Sequence, residues 1–130
     1  FNRVAADLNM YNAPTAEVMV VAAKGGTAVR LLANDPPACT GQQSPGLTNS
    51  WPRWAPFIGQ VGDRRYYWLV FSSKRRGGYP QLYVAAVVTS TDQARGEVIE
   101  RTYPAVYVTS QNPLESNHTP AWDDFKIVVQ

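Results

Sequence analysis

Residues 49–57 read Asn-Ser-Trp-Pro-Arg-Trp-Ala-Pro-Phe, and a related stretch, Asn-His-Thr-Pro-Ala-Trp-Asp-Asp-Phe, occupies residues 117–125. Both stretches obey Asn-x-x-Pro-x-Trp-x-x-Phe, and Trp122 follows Trp54 after 68 positions (122 − 54). Tryptophan is rare, so four shared positions in a nine-residue window indicate an internal repeat rather than a coincidence. A fixed period of this kind is typical of repeat architectures. We therefore expect the chain to be built from copies of one structural unit.

Length and charge predict one ordinary domain without a strongly charged partner. The chain has 130 residues, enough to bury a core, and a formal net charge of +2 from 12 basic and 10 acidic residues. So small a charge favours neither nucleic acid nor a membrane surface as a partner. The longest apolar run, Leu82–Val88, is far shorter than a membrane span. Because the chain starts at Phe1 without a methionine, we expect it to be processed or fragmentary.

Strand and turn signals predict an all-β chain. Apolar runs at 17–22 and 28–32 flank Gly25-Gly26 and predict a β-hairpin. The almost wholly apolar runs at 17–22 and 81–88 are typical of strands covered on both faces. Further strands are expected at 1–4, 66–71 and 105–109, turns at 59–63 and 72–79, a long loop at 34–50 and a polar surface excursion at 89–102. No segment has helical periodicity.

The repeated motif itself predicts an edge strand. Pro52, Trp54 and Pro56 alternate, so in a strand they share one face. Two prolines remove two backbone donors, which a central strand cannot easily lose. The first strand of the unit is therefore expected at the edge of its sheet.

Overlaying the two copies defines a unit of four strands. Residues 51–109 hold one complete unit, and residues 119–130 hold the start of the next. Residues 1–32 match the last three strands of a preceding unit, with Phe1 answering Phe71 and Val18 answering Leu82, and residues 33–50 form the long loop. Four-stranded sheets repeated radially are the blades of a β-propeller. The expected fold is therefore all-β, with about two four-stranded antiparallel blades of an incomplete propeller.

Three stretches carry a resemblance to a known family. The sequences Pro-Arg-Trp-Ala-Pro at 52–56, Phe-Ser-Ser-Lys-Arg-Arg-Gly at 71–77 and Gln-Leu-Tyr-Val at 81–84 resemble the WD40-like (PD40) repeat of TolB-type propellers. That repeat usually reads Pro-x-Trp-Ser-Pro-Asp-Gly, then Phe-x-Ser-x-Arg-x-Gly, then Ile-Tyr-Val. The chain departs from it at Phe57-Ile58, which replace Asp-Gly, and its period exceeds the roughly 40 to 45 residues of ordinary propeller repeats.

The resemblance implies a non-enzymatic module for scaffolding or protein–protein interaction. It also implies a periplasmic or extracellular location in the bacterial cell envelope. The expected partner is another protein, or the remainder of the same propeller, and an oligomer that completes the ring is a further option. Two alternatives stay open: the accessory propeller of a prolyl-oligopeptidase-like serine peptidase, and a carbohydrate-binding propeller assembled from several chains.

The candidate contact residues are Trp51, Arg53 and His118, which lie on the connections into the motif strands. Rims and central channels are where propellers usually bind, so we expect these three residues near one rim. His118 is the single histidine, and no Gly-x-Ser-x-Gly elbow accompanies it, so catalysis is not favoured.

No cofactor or metal is expected. His118 with Asp123 and Asp124 makes a weak metal-ligand set, and Cys39, the one cysteine, can form neither an internal disulfide nor a thiolate cluster. A free loop thiol is the plainer interpretation of Cys39, and pairing outside these residues is the alternative. The basic run 74–76 is interpreted as a solvated turn.

Overall fold

The computed structural model describes residues 1–5, 9–11, 13–35 and 48–123. Its regular structure in these ranges is eight strands and one short 3-10 turn, without an α-helix, so the expectation of an all-β chain is confirmed. The strands pair antiparallel in two sheets. Cys39, Asp124 and Phe125 lie outside the described residues, and the expectations about them stay predictions.

The N-terminal strands form a three-stranded sheet, which we call the small sheet. Its order is β1 (Asn2–Arg3), β2 (Glu17–Val20) and β3 (Val29–Arg30). The predicted hairpin is confirmed by the pairing of β2 with β3, although both strands are shorter than the apolar pattern indicated. β3 ends early because the chain turns into the 3-10 segment Leu32–Asn34.

The remaining strands form a five-stranded sheet, which we call the large sheet. β4 (Ser50–Val61), β5 (Arg64–Ser73), β6 (Gln81–Asp92) and β7 (Gly96–Thr102) are successive antiparallel neighbours. β8 (Val106–Tyr107) also pairs with β6, next to β7 along the same edge. The predicted double burial of the 81–88 run is confirmed in its second half, where Ala85 to Val88 are all buried.

Two sequence predictions about the large sheet are wrong. Residues 89–102 are a hairpin rather than a surface excursion, because β6 continues to Asp92 and β7 returns from Gly96. Its polar side chains pair across the strands, as where the Thr89 hydroxyl donates to Glu97 at 2.5 Å. The outer strand expected at 105–109 is reduced to β8, because Pro104 lacks a backbone N–H and separates β8 from β7.

β4 is an edge strand, as its two prolines predict. Within the described residues it pairs only with β5, and its register is irregular between Ser50 and Arg53 and again between Trp54 and Ile58. Pro52 and Pro56 lie inside these two intervals. The missing donors therefore fall where the ladder is interrupted, which is where a strand tolerates proline.

The turn between β4 and β5 depends on a glycine in the left-handed region of backbone conformation. It is two residues long, shorter than predicted, and Gly62 adopts a φ of 61° with open space around the position of a Cβ. We expect Gly62→Ala to lower the free energy of unfolding by about 1 kcal/mol, because alanine is strained in the left-handed region. Urea unfolding measures this loss. Gly62→Asn is the control and should cost clearly less, since asparagine tolerates this region; equal losses would contradict the explanation.

The two sheets pack face to face around one core. We call the face of the large sheet that lines this core its inner face, and the opposite face its outer face. The small sheet contributes a packed face with Val18, Val20 and Leu31. The inner face contributes mostly aromatic and small aliphatic side chains, namely Tyr67, Leu69, Phe71, Tyr83, Ala85 and Val87.

Residues that face each other across an antiparallel pair share a face of the sheet. Trp54 opposes Leu69, so its indole is on the inner face, where it is 48% exposed and contacts Tyr67 at 6.1 Å between ring centroids. Trp68 and Val106 are on the outer face, since Trp68 alternates with Leu69 and Val106 opposes Val84. Both are exposed, Val106 strongly at 69%.

The small sheet repeats the pairing register of the large sheet. The pair Asn2–Val18 between β1 and β2 corresponds to the pair Ser72–Leu82 between β5 and β6. The pair Met19–Arg30 between β2 and β3 corresponds to the pair Tyr83–Tyr107 between β6 and β8. Strands β1, β2 and β3 therefore correspond to β5, β6 and β8. This is the alignment that the sequence suggested for Phe1 and Phe71. The free face of the small sheet, opposite its packed face, therefore corresponds to the inner face of the large sheet.

One amide side chain performs the same role in each sheet. Asn34 accepts a hydrogen bond from the Val18 N–H (2.7 Å) and donates to the carbonyls of Val18 (2.8 Å) and Leu31 (2.9 Å). Gln111 accepts from the Leu82 N–H (2.7 Å) and donates to the carbonyls of Leu82 (2.9 Å) and Val108 (2.7 Å). Each amide thus supplements the backbone at the end of the short outer strand, where a single backbone bond remains, from Leu31 to Val18 at 3.4 Å in one sheet and from Val108 to Leu82 at 3.2 Å in the other.

A network of ion pairs covers the free face of the small sheet. Arg30 donates to both carboxylate oxygens of Asp35 at 2.8 Å and to Glu17 at 2.6 Å, and Arg3 also contacts Glu17. The bond from Arg30 holds the pKa of Asp35 below its ordinary value. Burial acts to raise the pKa of Glu17, but the bonds from Arg30 and Arg3 outweigh it and lower that pKa.

The lowered pKa values predict a loss of stability in acid. A carboxylate with a depressed folded-state pKa stabilises the fold above its unfolded pKa of about 4, and this contribution disappears as the pH falls further. We expect Asp35→Asn to lower the free energy of unfolding at pH 7, and the difference from wild type to shrink below about pH 4. Urea unfolding at pH 7 and pH 3 measures it. Asp63→Asn, in the exposed β4–β5 turn, is the control; a difference at Asp35 that persists at pH 3 would contradict the explanation.

Candidate functional site

The beginning of β4 is held by Asn49, the first residue of the repeated motif. Asn49 is fully buried, and its N–H donates to the Ala16 carbonyl at 3.0 Å. Its side chain donates to Asn34 at 2.9 Å and accepts from Arg75 at 3.1 Å, and its carbonyl accepts from Asn2 at 2.6 Å. Four segments that are distant in sequence thus fix one residue, and the chain on either side of it has little freedom.

The backbone around Asn49 is strained. Thr48 and Trp51 are the described non-glycine residues with positive φ, at 45° and 54°. Such a conformation costs about 1 to 3 kcal/mol for each residue, more for a β-branched side chain such as threonine, and it tends to occur at functional sites. The strain therefore marks residues 48–51 as a candidate site.

Aromatic rings connect this strained segment to the second copy of the motif. Tyr11 lies between Trp51 and His118, with ring centroids 5.3 Å from Trp51 and 6.2 Å from His118, both in edge-to-face geometry. Such contacts are favourable for aromatic pairs. Two of the three predicted contact residues, Trp51 and His118, are thus brought together. Tyr11 was missed, since nothing in its local sequence distinguishes it.

A cavity of about 270 Å³ opens beside these rings, and we call it the aromatic pocket. Its lining consists of Tyr11, of Ser116 and His118, and of two further segments that contribute Thr48, Ser50, Lys74, Gly78, Tyr79 and Pro80. No acidic side chain is among these described lining residues. The pocket therefore suits a small group that is neutral or negatively charged and can accept hydrogen bonds.

Arg53, the third predicted contact residue, is not part of the aromatic pocket. Its side chain is exposed, and its carbonyl accepts a hydrogen bond from the Trp122 indole N–H at 3.0 Å. The Trp122 ring also contacts Phe57 at 5.9 Å. Arg53 lies two residues further along β4 than Trp51, beyond Pro52, so the structure brings together Trp51 and His118 at Tyr11 but not Arg53.

The second motif lies against β4 without forming a strand in its described part, residues 117–123. The Asn117 N–H donates to the Pro80 carbonyl at 2.9 Å, as the Asn49 N–H donates to Ala16. The side-chain amide of Asn117 donates to the Asn112 carbonyl at 3.1 Å. The contacts at the start of both motifs therefore correspond.

His118 has no carboxylate partner in the described part of the chain. Its Nδ1 lies 3.5 Å from the Thr119 hydroxyl, a long contact that does not build a catalytic triad. Groups of three or more histidine, cysteine or acidic side chains able to hold a metal ion are likewise absent among the described residues.

Arg75 contradicts the interpretation of residues 74–76 as a solvated turn. Its guanidinium lies against the rings of Phe71 (5.4 Å) and Tyr83 (4.5 Å), and donates to the Ala33 carbonyl at 2.7 Å as well as to Asn49. Burial lowers the pKa of Arg75 to about 10. The neighbouring Arg76 is exposed, as predicted. A run of three basic residues cannot reveal from its letters which member turns inward.

Comparison with known proteins adds no relative: no family model, curated protein or solved structure matches the chain. No helix of the described residues is long and apolar enough to cross a membrane. The fold and the site thus define an all-β protein of two packed antiparallel sheets, with an aromatic pocket beside a strained edge strand.

Proposed function

We propose that the chain is a non-enzymatic binding module, part of a TolB-like propeller, that captures an acidic segment of another protein in the aromatic pocket. The observation that carries the proposal is the pocket itself, where residues from distant segments converge on a strained backbone. Lys74 and His118 supply the basic groups of its lining, and Tyr11 supplies a half-exposed ring. Aromatic and basic side chains of this kind are what protein partners with acidic residues bind.

The propeller part of the proposal is supported by the matched registers of the two sheets and by how they pack. The packed face of the small sheet corresponds to the outer face of the large sheet, yet it packs against the inner face. The contact therefore joins an outer-type face of one sheet to the inner face of the next. If the same contact were repeated, each further sheet would be added on the same side, and the sheets would follow one another in one direction. Blades of a propeller are arranged in this way. The proposed location, the bacterial cell envelope, follows from the resemblance to TolB-type repeats alone.

A random peptide display library tests the binding function. We expect peptides enriched in aspartate and glutamate, with binding that weakens at least tenfold in Tyr11→Ala and falls with rising salt, because screening weakens charge attraction. Tyr103→Ala is the matched control, since Tyr103 is as exposed as Tyr11 but lies outside the pocket lining. Peptides that bind Tyr11→Ala and wild type equally, or a library without binders, would overturn the proposal.

A carbohydrate is the second candidate ligand, favoured by the two tyrosine rings and the hydroxyls of Thr48, Ser50 and Ser116 in the pocket lining. A sugar ring can place its C–H face on an aromatic ring and its hydroxyls on polar groups. Saturation-transfer NMR with a panel of monosaccharides tests it. If a monosaccharide gave a saturation-transfer signal with the wild type and none with Tyr11→Ala, the ligand of the pocket would be a glycan instead of a peptide.

A further inference from the structure

Two hydroxyl side chains line the aromatic pocket on either side of Asn49 in the sequence. The side chain of Asn49 is turned into the core, whereas its neighbours Thr48 and Ser50 line the pocket. Both neighbours are more than nine-tenths buried, with 6% of Thr48 and 3% of Ser50 exposed. Neither hydroxyl has a hydrogen-bond partner among the residues that the structure describes. A buried hydroxyl without a partner costs free energy, so an acceptor on a ligand would stabilise both groups.

The backbone fixes these two hydroxyls before a ligand arrives. Thr48 is held in the left-handed region at a φ of 45°, and its N–H donates to the Pro14 carbonyl at 3.4 Å. Ser50 is the first residue of β4 and opposes Ser72 in the large sheet. Donors that are already ordered lose little conformational entropy on binding. The strained segment 48–51 is therefore suited to positioning two hydrogen-bond donors.

The lining also contains two basic side chains. Lys74 comes from the turn between β5 and β6, and His118 comes from the second motif. The nearby Glu115 carboxylate is not in the lining and accepts a hydrogen bond from the Asn112 amide at 2.9 Å. An ammonium group has three donors, and a histidine ring has at least one. Together with the two hydroxyls, these groups offer more donors than the roughly four acceptor positions of a carboxylate.

A phosphate monoester matches this set of donors better than a carboxylate does. It has three strongly accepting oxygens and a charge of about −1.5 to −2 at pH 7, whereas a carboxylate has two oxygens and a single charge. Hydrogen bonds to ionised oxygens are roughly twice as strong as those between neutral groups. The cavity of about 270 Å³ also has room for the side chain that carries the phosphate, next to the half-exposed ring of Tyr11.

We propose that the acidic group captured by the aromatic pocket is a phosphate monoester, carried by a phosphorylated side chain of the partner. Its oxygens accept hydrogen bonds from Thr48, Ser50, Lys74 and His118. The step is one of binding alone, and no covalent bond forms or breaks. This inference rests on the proposed function, since it specifies the chemistry of the ligand at the same pocket.

Short synthetic peptides test the inference with the full chain. The probes are end-blocked glycine pentapeptides with phosphoserine, phosphotyrosine or glutamate at the centre, and inorganic phosphate is a separate probe. NMR titration of the nitrogen-15-labelled protein gives each Kd. We expect at least one phosphopeptide to bind about tenfold more tightly than both the glutamate peptide and inorganic phosphate. Glutamate lacks the third oxygen and the second charge, and inorganic phosphate lacks a side chain that could contact Tyr11.

Variants of the two hydroxyl residues identify the donors. Ser50→Ala removes a hydrogen bond to an ionised group and should weaken phosphopeptide binding about tenfold. Ser72→Ala is the matched control: Ser72 opposes Ser50, is fully buried and has a hydroxyl without a partner among the described residues, but lies outside the pocket lining. Thr48→Val should also weaken binding, and Thr48→Ser should restore it because the hydroxyl returns. Circular dichroism verifies that each variant keeps its strand content.

The outcomes separate this inference from the proposed function. A glutamate peptide that binds as tightly as the phosphopeptides would overturn the inference and leave the capture of acidic segments standing. Inorganic phosphate that binds as tightly as the phosphopeptides would make a free ion the ligand and would also overturn it. Equal affinities of Ser50→Ala and Ser72→Ala, or phosphopeptides that do not bind, would contradict it as well.

Discussion

Replacement of Arg75 by alanine is expected to lower the free energy of unfolding by about 3 kcal/mol. The change leaves the Ala33 carbonyl and the Asn49 side-chain oxygen without their donor, and a buried unpaired polar group costs about 1 to 3 kcal/mol. It also removes the cation that lies 4.5 Å from the Tyr83 ring centroid, worth about 1 kcal/mol or more. The desolvation cost of the guanidinium, which lowers the pKa of Arg75, offsets part of this loss.

Urea unfolding with two companion variants identifies which interaction of Arg75 is responsible. Arg76→Ala is the matched control: Arg76 also lies over a tyrosine ring, but it is exposed, and we expect a loss below about 1 kcal/mol. Arg75→Lys keeps the charge without the planar fork that reaches both acceptors, so its loss should be intermediate. If Arg75→Ala were no worse than Arg76→Ala, the stabilising role of the inward-facing contacts of Arg75 would be refuted.

Replacement of Asn34 by leucine is expected to be at least as damaging, with a loss of about 3 to 5 kcal/mol. Leucine has a similar volume, but it leaves the Val18 N–H and the Asn49 side-chain amide without their acceptor in a fully buried location. It also removes one of the two donors to each of the Val18 and Leu31 carbonyls. Asn34 also orders Asn49, and through it the strained segment 48–51. We therefore expect weaker ligand binding at the aromatic pocket even where the variant stays folded.

Gln111→Leu is the comparison for Asn34→Leu, because the two amides bond corresponding backbone groups. Gln111 is only partly buried, so water can replace its hydrogen bonds and the loss should be about 1 kcal/mol. Thermal and urea unfolding of both variants give the two values. Equal losses would show that burial does not set the cost, and a negligible loss at Asn34 would refute the network around Asn49.

Features that depend on neighbouring residues could be predicted from the sequence. The prolines at 52 and 56 indicated an edge strand, and β4 is one, because a missing N–H is tolerated only where a strand has a free side. The turn at Gly25-Gly26 and its flanking strands were also predictable, since glycine conformation and apolar runs act over a few residues. Even the matching of Phe1 with Phe71 was visible, because strand pairs repeat their apolar pattern.

Strand ends were less predictable where polar side chains pair across the sheet. The hairpin of β6 and β7 reads as a loop from its composition, but Thr89 and Tyr67 both donate to Glu97 and make its polar residues suitable for a strand. Cross-strand pairs of this kind exist only once the register is set. Composition alone therefore assigned this segment wrongly.

By itself the sequence determined an all-β chain, its edge strand and the repeat between residues 49–57 and 117–125. Only the tertiary structure decided that Arg75 turns inward, that Asn34 and Asn49 are bonded to each other, and that Tyr11 joins Trp51 to His118. The physical reason is distance along the chain. Each of these side chains is placed by partners from segments far away in sequence, and local preferences carry no information about such partners.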